Sequence, residues 1–182
     1  MNGERFKFVL HGLAILVLTL HAPIVMADSG NSHAVGLVKE VRNGTRMYKD
    51  VTLAESDGWG STLNCVSGDD EGAMGVHYVN GALLFDNAAL DPQRPEALIY
   101  ETRHGRTKLV GVEFIILAEE WDNAHPDGSP PVLLGQLFHY IGSPNRYRLP
   151  AVYALHVWAW KDNPKGAFVH WNPRVSCDEY EG

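Results

Sequence analysis

Cysteine is scarce in this chain of 182 residues: there are two, Cys65 and Cys177, and no Cys-x-x-Cys pair. That excludes a dithiol redox motif. Excess positive charge is also lacking, with 15 Lys and Arg against 22 Asp and Glu and a formal net charge of −7. Neither a nucleic acid nor an anionic membrane is therefore the expected partner. There is no phosphate-binding loop, no dinucleotide fingerprint and no His-Glu-x-x-His. Ser143 and Ser61 lie outside any Gly-x-Ser-x-Gly turn and have no identifiable partner residue, so serine hydrolysis is not indicated. The acidic run Gly68-Asp-Asp-Glu-Gly72 does not have the spacing of an EF-hand loop and reads as a solvated loop.

The one long apolar run comes first. Arg5 and Lys7 precede about thirteen apolar residues, Phe8 to Leu20, and Val25-Met-Ala27 supplies a small-residue cleavage site. The run is too short for a comfortable transmembrane span and predicts a signal peptide over residues 1–27. No later segment suggests a transmembrane span. Export to the periplasm or the extracellular space is the expected location. Cleavage would remove Glu4, Arg5 and Lys7, leaving 13 basic and 21 acidic side chains and a net charge of about −8. In an oxidising compartment the two cysteines predict one Cys65–Cys177 disulfide.

Residues 28–182 are long enough for one globular domain with a full core. Ser32 is placed to cap a helix with Val35, Leu37, Val38 and Val41 at helical spacing, and Thr45 to cap a second with Met47, Tyr48, Val51 and Ala54 on one face. Asn43-Gly-Thr45 is also a glycosylation sequon, relevant only in a eukaryotic secretory route. Residues 28–58 thus read as a helix or helical hairpin. Trp59–Gly72 reads as turn-rich. Strands are expected at Met74–Val79, Leu83–Phe85, Ala97–Thr102, Lys108–Leu117, Val132–Ile141, Ala151–Trp160 and Ala167–Trp171. Long loops are expected at 91–95 and 122–131. The fold class is α+β or mainly β, with residues 59–182 forming an antiparallel β-barrel or sandwich.

Within those strands three polar residues stand out. Glu113 lies alone in Leu109-Val-Gly-Val-Glu-Phe-Ile-Ile-Leu117, His77 in Ala73-Met-Gly-Val-His-Tyr-Val79, and His156 in Ala154-Leu-His-Val-Trp-Ala-Trp160. A carboxylate in such a place must be paired, protonated or bound to a metal, since burying it alone costs several kcal/mol. Strand alternation puts Gly75, His77 and Val79 on one face, Gly111, Glu113 and Ile115 on another, and His156, Trp158 and Trp160 on a third. Glu101 shares the Glu113 face only if the 104–107 hairpin has an odd-numbered loop; an even loop offsets the two.

Three readings remain open. His77, Glu113 and His156, with Glu101 and His139 as further ligands, would hold Zn, Mn or Fe with an open position for water or substrate. Tyr78, Tyr100 or Gln136 would then form an outer shell. Alternatively Glu113 pairs with Arg94, Arg103 or Arg148, and the histidines hydrogen-bond within the core as a structural network. The third reading is a pocket for a small polar or apolar ligand, lined by Tyr78, Tyr100, Trp158 and Trp160 with Phe114 and Phe138. The expected function is an extracytoplasmic binding protein; the alternatives are a metal-dependent β-barrel enzyme and an interaction module. A shared ion requires His77 and His156 within about 10 Å, because ligands lie near 2 Å from a zinc. His33, His104, His125 and His170 adjoin loop signals and are expected to be exposed.

Larger blocks carry a resemblance. Gly72-Ala-Met-Gly-Val-His-Tyr78, Arg94-Pro-Glu-Ala-Leu-Ile-Tyr-Glu101, Leu109-Val-Gly-Val-Glu-Phe114, the stretch from Leu155 to Phe168 and Trp171-Asn-Pro-Arg-Val-Ser-Cys177 together resemble a family of small exported bacterial proteins of unknown function. The resemblance implies a bacterial origin and an extracytoplasmic location, with no activity or cofactor. The cupin pattern, a His-x-His pair with a nearby Glu and a later His, is not met: in His77-Tyr-Val79 the second histidine is missing.

Overall fold

The computed structural model describes residues 29–181. The signal-peptide expectation, residues 1–27, lies outside the described residues. The elements run α1 (Ser29–Thr45), a 3-10 turn (Arg46–Lys49), α2 (Val51–Ser56), β1 (Trp59–Gly68), β2 (Gly72–Asn80), α3 (Gly81–Leu84), β3 (Ala97–Arg103), β4 (Arg106–Leu117), α4 (Ala118–Ala124), β5 (Val132–Leu133), β6 (Gln136–Leu137), β7 (His139–Ile141) and β8 (Val152–Val157). Six strands form one curled antiparallel sheet in the order β1-β2-β3-β4-β8-β7, a half-barrel, and β5 pairs with β6 alone. The protein is mainly β. The expected closed barrel or sandwich is not what forms, because β1 and β7 are free edges that do not pair with each other.

The apolar runs are buried on both faces, which is why β4 lacks a simple alternating pattern. On one face Leu98, Tyr100, Val112, Phe114, Leu155 and Val157 pack with Leu37 and Val41 of α1 and Ala54 of α2. Each such large side chain contributes about 1.5–3 kcal/mol when fully buried. Polar contacts tie the helices to this face. Arg42 Nε donates to the Ala159 carbonyl at 2.6 Å, Tyr100 Oη to the Tyr48 carbonyl at 2.6 Å, and Trp160 Nε1 to Thr45 Oγ1 at 3.0 Å. The opposite face holds two smaller clusters, around Ile99 and Trp158 and around Ala97, Ile115 and Val152.

Several local expectations are overturned. Thr45 does not cap the second helix: its hydroxyl turns back to the Val41 carbonyl, and Asp50 caps α2 through the Thr52 N–H. The stretch from Trp59 to Gly68 is strand β1 rather than loop. As an edge strand it leaves Ser61, Thr62 and Asn64 in solvent, so it lacks the apolar signal of a central strand. Only Asp69–Glu71 remain as the turn. Leu83–Phe85 is not a strand, because the Asn80 side chain accepts from the Ala82 and Leu83 N–H groups and starts the helical turn α3. The 132–141 segment breaks into β5 and β6 at Leu134 and Gly135, both with positive φ, and into β6 and β7 at Phe138. Ala118–Ala124 is helix α4 where the second half was expected as loop, and 167–171 is coil.

The β3–β4 hairpin turns at His104-Gly105, with φ of 52° and 66°, as a two-residue loop needs. This even loop pairs Glu101 with Lys108. A register shift between Ile99 and Tyr100 then lets Val110 bulge, so that Ile99 pairs with Gly111 and Ala97 with Glu113. The bulge returns Glu113 to the face of Glu101.

Among the described residues no helix is long and apolar enough to cross a membrane. Cys65 and Cys177 are bridged, with Cα atoms 5.6 Å apart and a sequence separation of 112. The bond fastens the C-terminal segment to edge strand β1, beside the Ala73–Asn172 bridge that holds the same segment to β2. A disulfide fits an oxidising compartment. Closing a loop of that length is worth roughly 4–5 kcal/mol in the chain-entropy model. Cys65→Ser is expected to lower the denaturant midpoint under oxidising conditions and to match the wild type in reductant; an equal loss in both conditions would argue against the bridge.

Glu96 is a buried carboxyl that the sequence reading did not single out, 2 % exposed, with Oε2 accepting the Ile115 N–H at 2.9 Å. Burial pushes its pKa up to about 8, the Ile115 N–H opposing, so the folded chain keeps a proton that the unfolded chain loses near the ordinary 4.5. Stability from this group therefore declines as pH rises from about 4.5 to about 8 and levels off beyond. Glu96→Gln should remove its share of that decline, measured as a smaller drop in melting temperature between pH 5 and pH 8; an unaltered profile would mean that Glu96 is ionised in the fold.

Candidate metal site

Three adjacent parts of the sheet deliver the three polar residues. Glu113 in β4 is the direct cross-strand partner of His156 in β8, and of Ala97 in β3 on the other side. His77 in β2 pairs with Ile99, which pairs with Gly111. Glu113 and His77 thus approach across β3 on a diagonal, over Ala97, whose methyl group leaves the space open. Gly75 sits at the β1–β2 irregularity just before His77 with φ of +99°, and a Cβ there would fall 2.6 Å from the Tyr100 carbonyl oxygen. Only glycine satisfies both constraints.

Each carboxylate oxygen of Glu113 faces one imidazole. Oε2 lies 3.3 Å from His77 Nε2 and Oε1 lies 3.1 Å from His156 Nδ1. The rings stand nearly perpendicular, 5.7 Å between centroids, well inside the limit for a shared ion. One donor atom from each residue lies within 4.8 Å of the others, and the residues are 3 %, 7 % and 1 % exposed for His77, Glu113 and His156. None of Arg94, Arg103 and Arg148 reaches Glu113; among the described residues its ionic partners are the two histidines.

The hydrogen bonding within the cluster is incomplete. His156 Nδ1 is close to Glu113 but not aligned for a hydrogen bond, and Nδ1 and Nε2 of His156 and Nδ1 of His77 are buried without a partner. A buried unsatisfied polar atom costs about 1–3 kcal/mol. Burial drives His156 to the neutral form, its pKa falling to about 3 although Glu113 opposes this. Burial also opposes the charge on Glu113, but His156, His77 and His170 outweigh it and hold the carboxyl near 2. The arrangement is a carboxylate between two imidazoles, three of whose four ring nitrogens have no hydrogen-bond partner.

His170 was expected to be exposed; it is half-buried, with its ring 5.1 Å from His156 and 4.8 Å from His139. Burial lowers its pKa. The chain doubles back after β8 because Asn163 receives the Lys165 N–H and donates to the Trp171 carbonyl. Trp158 Nε1 then holds the Val169 carbonyl at 2.6 Å. The two Asn-Pro markers at 163 and 172, visible in the sequence, bracket this return; that is the signal from which His170 was recoverable.

Other expected site residues lie elsewhere. Glu101 shares the face but is engaged by Lys161 Nζ at 2.5 Å and the Ser176 N–H at 3.1 Å, outside the three-residue cluster. His139 is exposed, with its ring against His170 and not in the three-residue cluster. Tyr78 and Tyr100, 4.8 Å apart, point into the opposite core by strand alternation, as do Phe114 and Phe138. Trp160 joins that core under Lys49, whose Nζ is 4.0 Å from the ring. Trp158 is on the cluster's face, 6.1 Å from His156, but packs with Ile99 and Val175. A cavity of about 240 Å³ does reach His77, Glu113 and His170; its walls are mostly aliphatic, with Leu63, Met74 and Ile115, and its aromatic members are Phe85 and Tyr147 rather than Tyr78, Tyr100, Trp158 and Trp160.

No protein-family model matches the chain, and searches of curated proteins and of solved structures found no match.

Gly75→Ala should lower the melting temperature by several degrees, the left-handed φ alone costing about 1–3 kcal/mol. A variant as stable as the wild type would show that the backbone at Gly75 relaxes freely and does not set the position of His77.

Proposed function

We propose that this chain is an exported protein that binds a divalent metal ion through His77, Glu113 and His156. The observation that carries the reading is the set of three buried imidazole nitrogens without hydrogen-bond partners around an ionised, almost fully buried carboxylate. An ion would take one nitrogen from each ring, His156 Nδ1 being the unpartnered one that faces Glu113, and would offset the desolvation of Glu113 at once. A purely structural network of the same residues leaves that nitrogen unpaired at a cost of about 1–3 kcal/mol.

Two neutral imidazoles and a carboxylate suit Zn, Mn or Fe. The residue types fit such an ion, and each histidine stands 3.1 or 3.3 Å from an oxygen of Glu113, separations that two donors about 2.0–2.2 Å from one centre can have. When bound, the ion would polarise a ligand or a water molecule at its remaining positions. Glu113 would supply the one negative charge, His156 would be fixed by its cross-strand pairing, and His77 by the Gly75 bend. The Cys65–Cys177 bridge and the leader-like first 27 residues support a periplasmic or extracellular location.

A metal-dependent enzyme on the same residues is the second reading. What favours it is the cavity that reaches His77 and Glu113, because catalytic sites keep a coordination position open where structural sites are closed.

Metal analysis of protein purified from the periplasm without chelator tests the proposal. Near-stoichiometric Zn, Mn or Fe is expected in the wild type and none in the His77→Ala/His156→Ala double variant, with Glu113→Gln also losing retention. Protein that takes up no metal, beside a double variant that is merely less stable, would establish the structural network instead.

A further inference from the structure

The cavity over the cluster is lined mostly by apolar side chains. Val79, Leu84, Ile115, Leu149, Val152 and Ala154 make much of its wall, His77, Glu113 and His170 bring its ionisable groups from the proposed site, and Thr62 and Tyr147 add two hydroxyl-bearing side chains. A volume of about 240 Å³ corresponds to about ten non-hydrogen atoms, by scaling from the cavity of 150 Å³ that takes a benzene molecule. One acidic group and two imidazoles facing a largely aliphatic wall suit a ligand with one polar head and a compact hydrocarbon body.

Charge fixes the nature of the head. A divalent ion held by one carboxylate and two neutral imidazoles leaves a net charge of +1 in a region where Glu113 is the only acidic side chain of the lining. A buried net charge is costly, and a monoanion bound to the ion cancels it. Resting on the metal reading above, we propose that the cavity binds a small apolar carboxylate, its head on the metal ion and its aliphatic or aromatic body among the walls. His170, which lines the same end, is placed to receive the second carboxylate oxygen.

Thr62 is exposed yet lines the cavity, so it stands at the entrance and not in the metal cluster. Thr62→Trp would obstruct access without touching a ligand residue. Filling from inside is available through Ala154→Phe, which replaces a buried methyl group on the wall.

Isothermal titration decides the matter in two stages. Zinc is first titrated into the chelator-stripped protein. Then 4-methylpentanoate and the neutral 4-methylpentanamide are titrated into the zinc-loaded and zinc-free forms. The expected result is binding of the acid at least tenfold tighter than the amide in the zinc-loaded form, loss of that preference without zinc, and loss of acid binding in Thr62→Trp with zinc uptake unchanged. Ala154→Phe should behave alike if it folds. Zinc uptake with no preference for the acid would overturn the carboxylate proposal and leave the metal site standing, hydroxide then being the neutralising group. Equal acid binding with and without zinc would also overturn it. Failure of zinc, manganese and iron(II) to bind would overturn the metal reading and this inference together.

Discussion

A carboxylate in the centre of strand β4, inside a run of eight uncharged residues, is the constraint around which the rest of this face is arranged. In isolation Glu113 would be protonated or would weaken the sheet. Its charge is tolerated because β2 and β8 each bring an imidazole to one of its oxygens. Those strands lie on opposite sides of it, so the cluster exists only when β2, β3, β4 and β8 are assembled in register. Glu96 solves the same difficulty in the opposite way, taking one backbone N–H and keeping its proton. Two buried acids on neighbouring segments thus shift in opposite directions, Glu96 up and Glu113 down, according to the groups each one faces.

Register in turn depends on small residues and a bulge. The even-numbered turn at His104-Gly105 would by itself have set Glu113 on the other face from Glu101, and the Val110 bulge reverses that. Ala97 leaves the path across β3 open, and Gly75 bends β2 just ahead of His77. The larger apolar residues do a different task. They fill the opposite core, where Tyr100, Phe114 and Leu155 pack against α1 and α2, so that the face carrying the cluster is free to keep a cavity.

The C-terminal segment completes the arrangement. After β8 the chain turns at Asn163, runs back beside Trp158 and is fixed to β2 at Ala73 and to β1 through the disulfide. This return carries His170 to the rim of the cluster. An edge-to-edge closure of the barrel would have occupied that space, and the open half-barrel leaves it to the segment and the cavity.

The sequence by itself determined the segments that become β2, β3, β4 and β8 and which residues are exceptional in them. Apolar runs interrupted by one Glu or one His are legible because burial of a charge has a fixed energetic meaning in any fold. The two cysteines in an exported reading were legible for a similar reason. Tertiary structure decided everything that depends on register and return paths: the bulge that sets the facing of Glu113, the exclusion of Glu101 through Lys161, the recruitment of His170, and the assignment of the tyrosines to the other face. Those outcomes turn on single-residue shifts in strand pairing and on contacts far apart in sequence, and side-chain alternation along one strand contains no information about either.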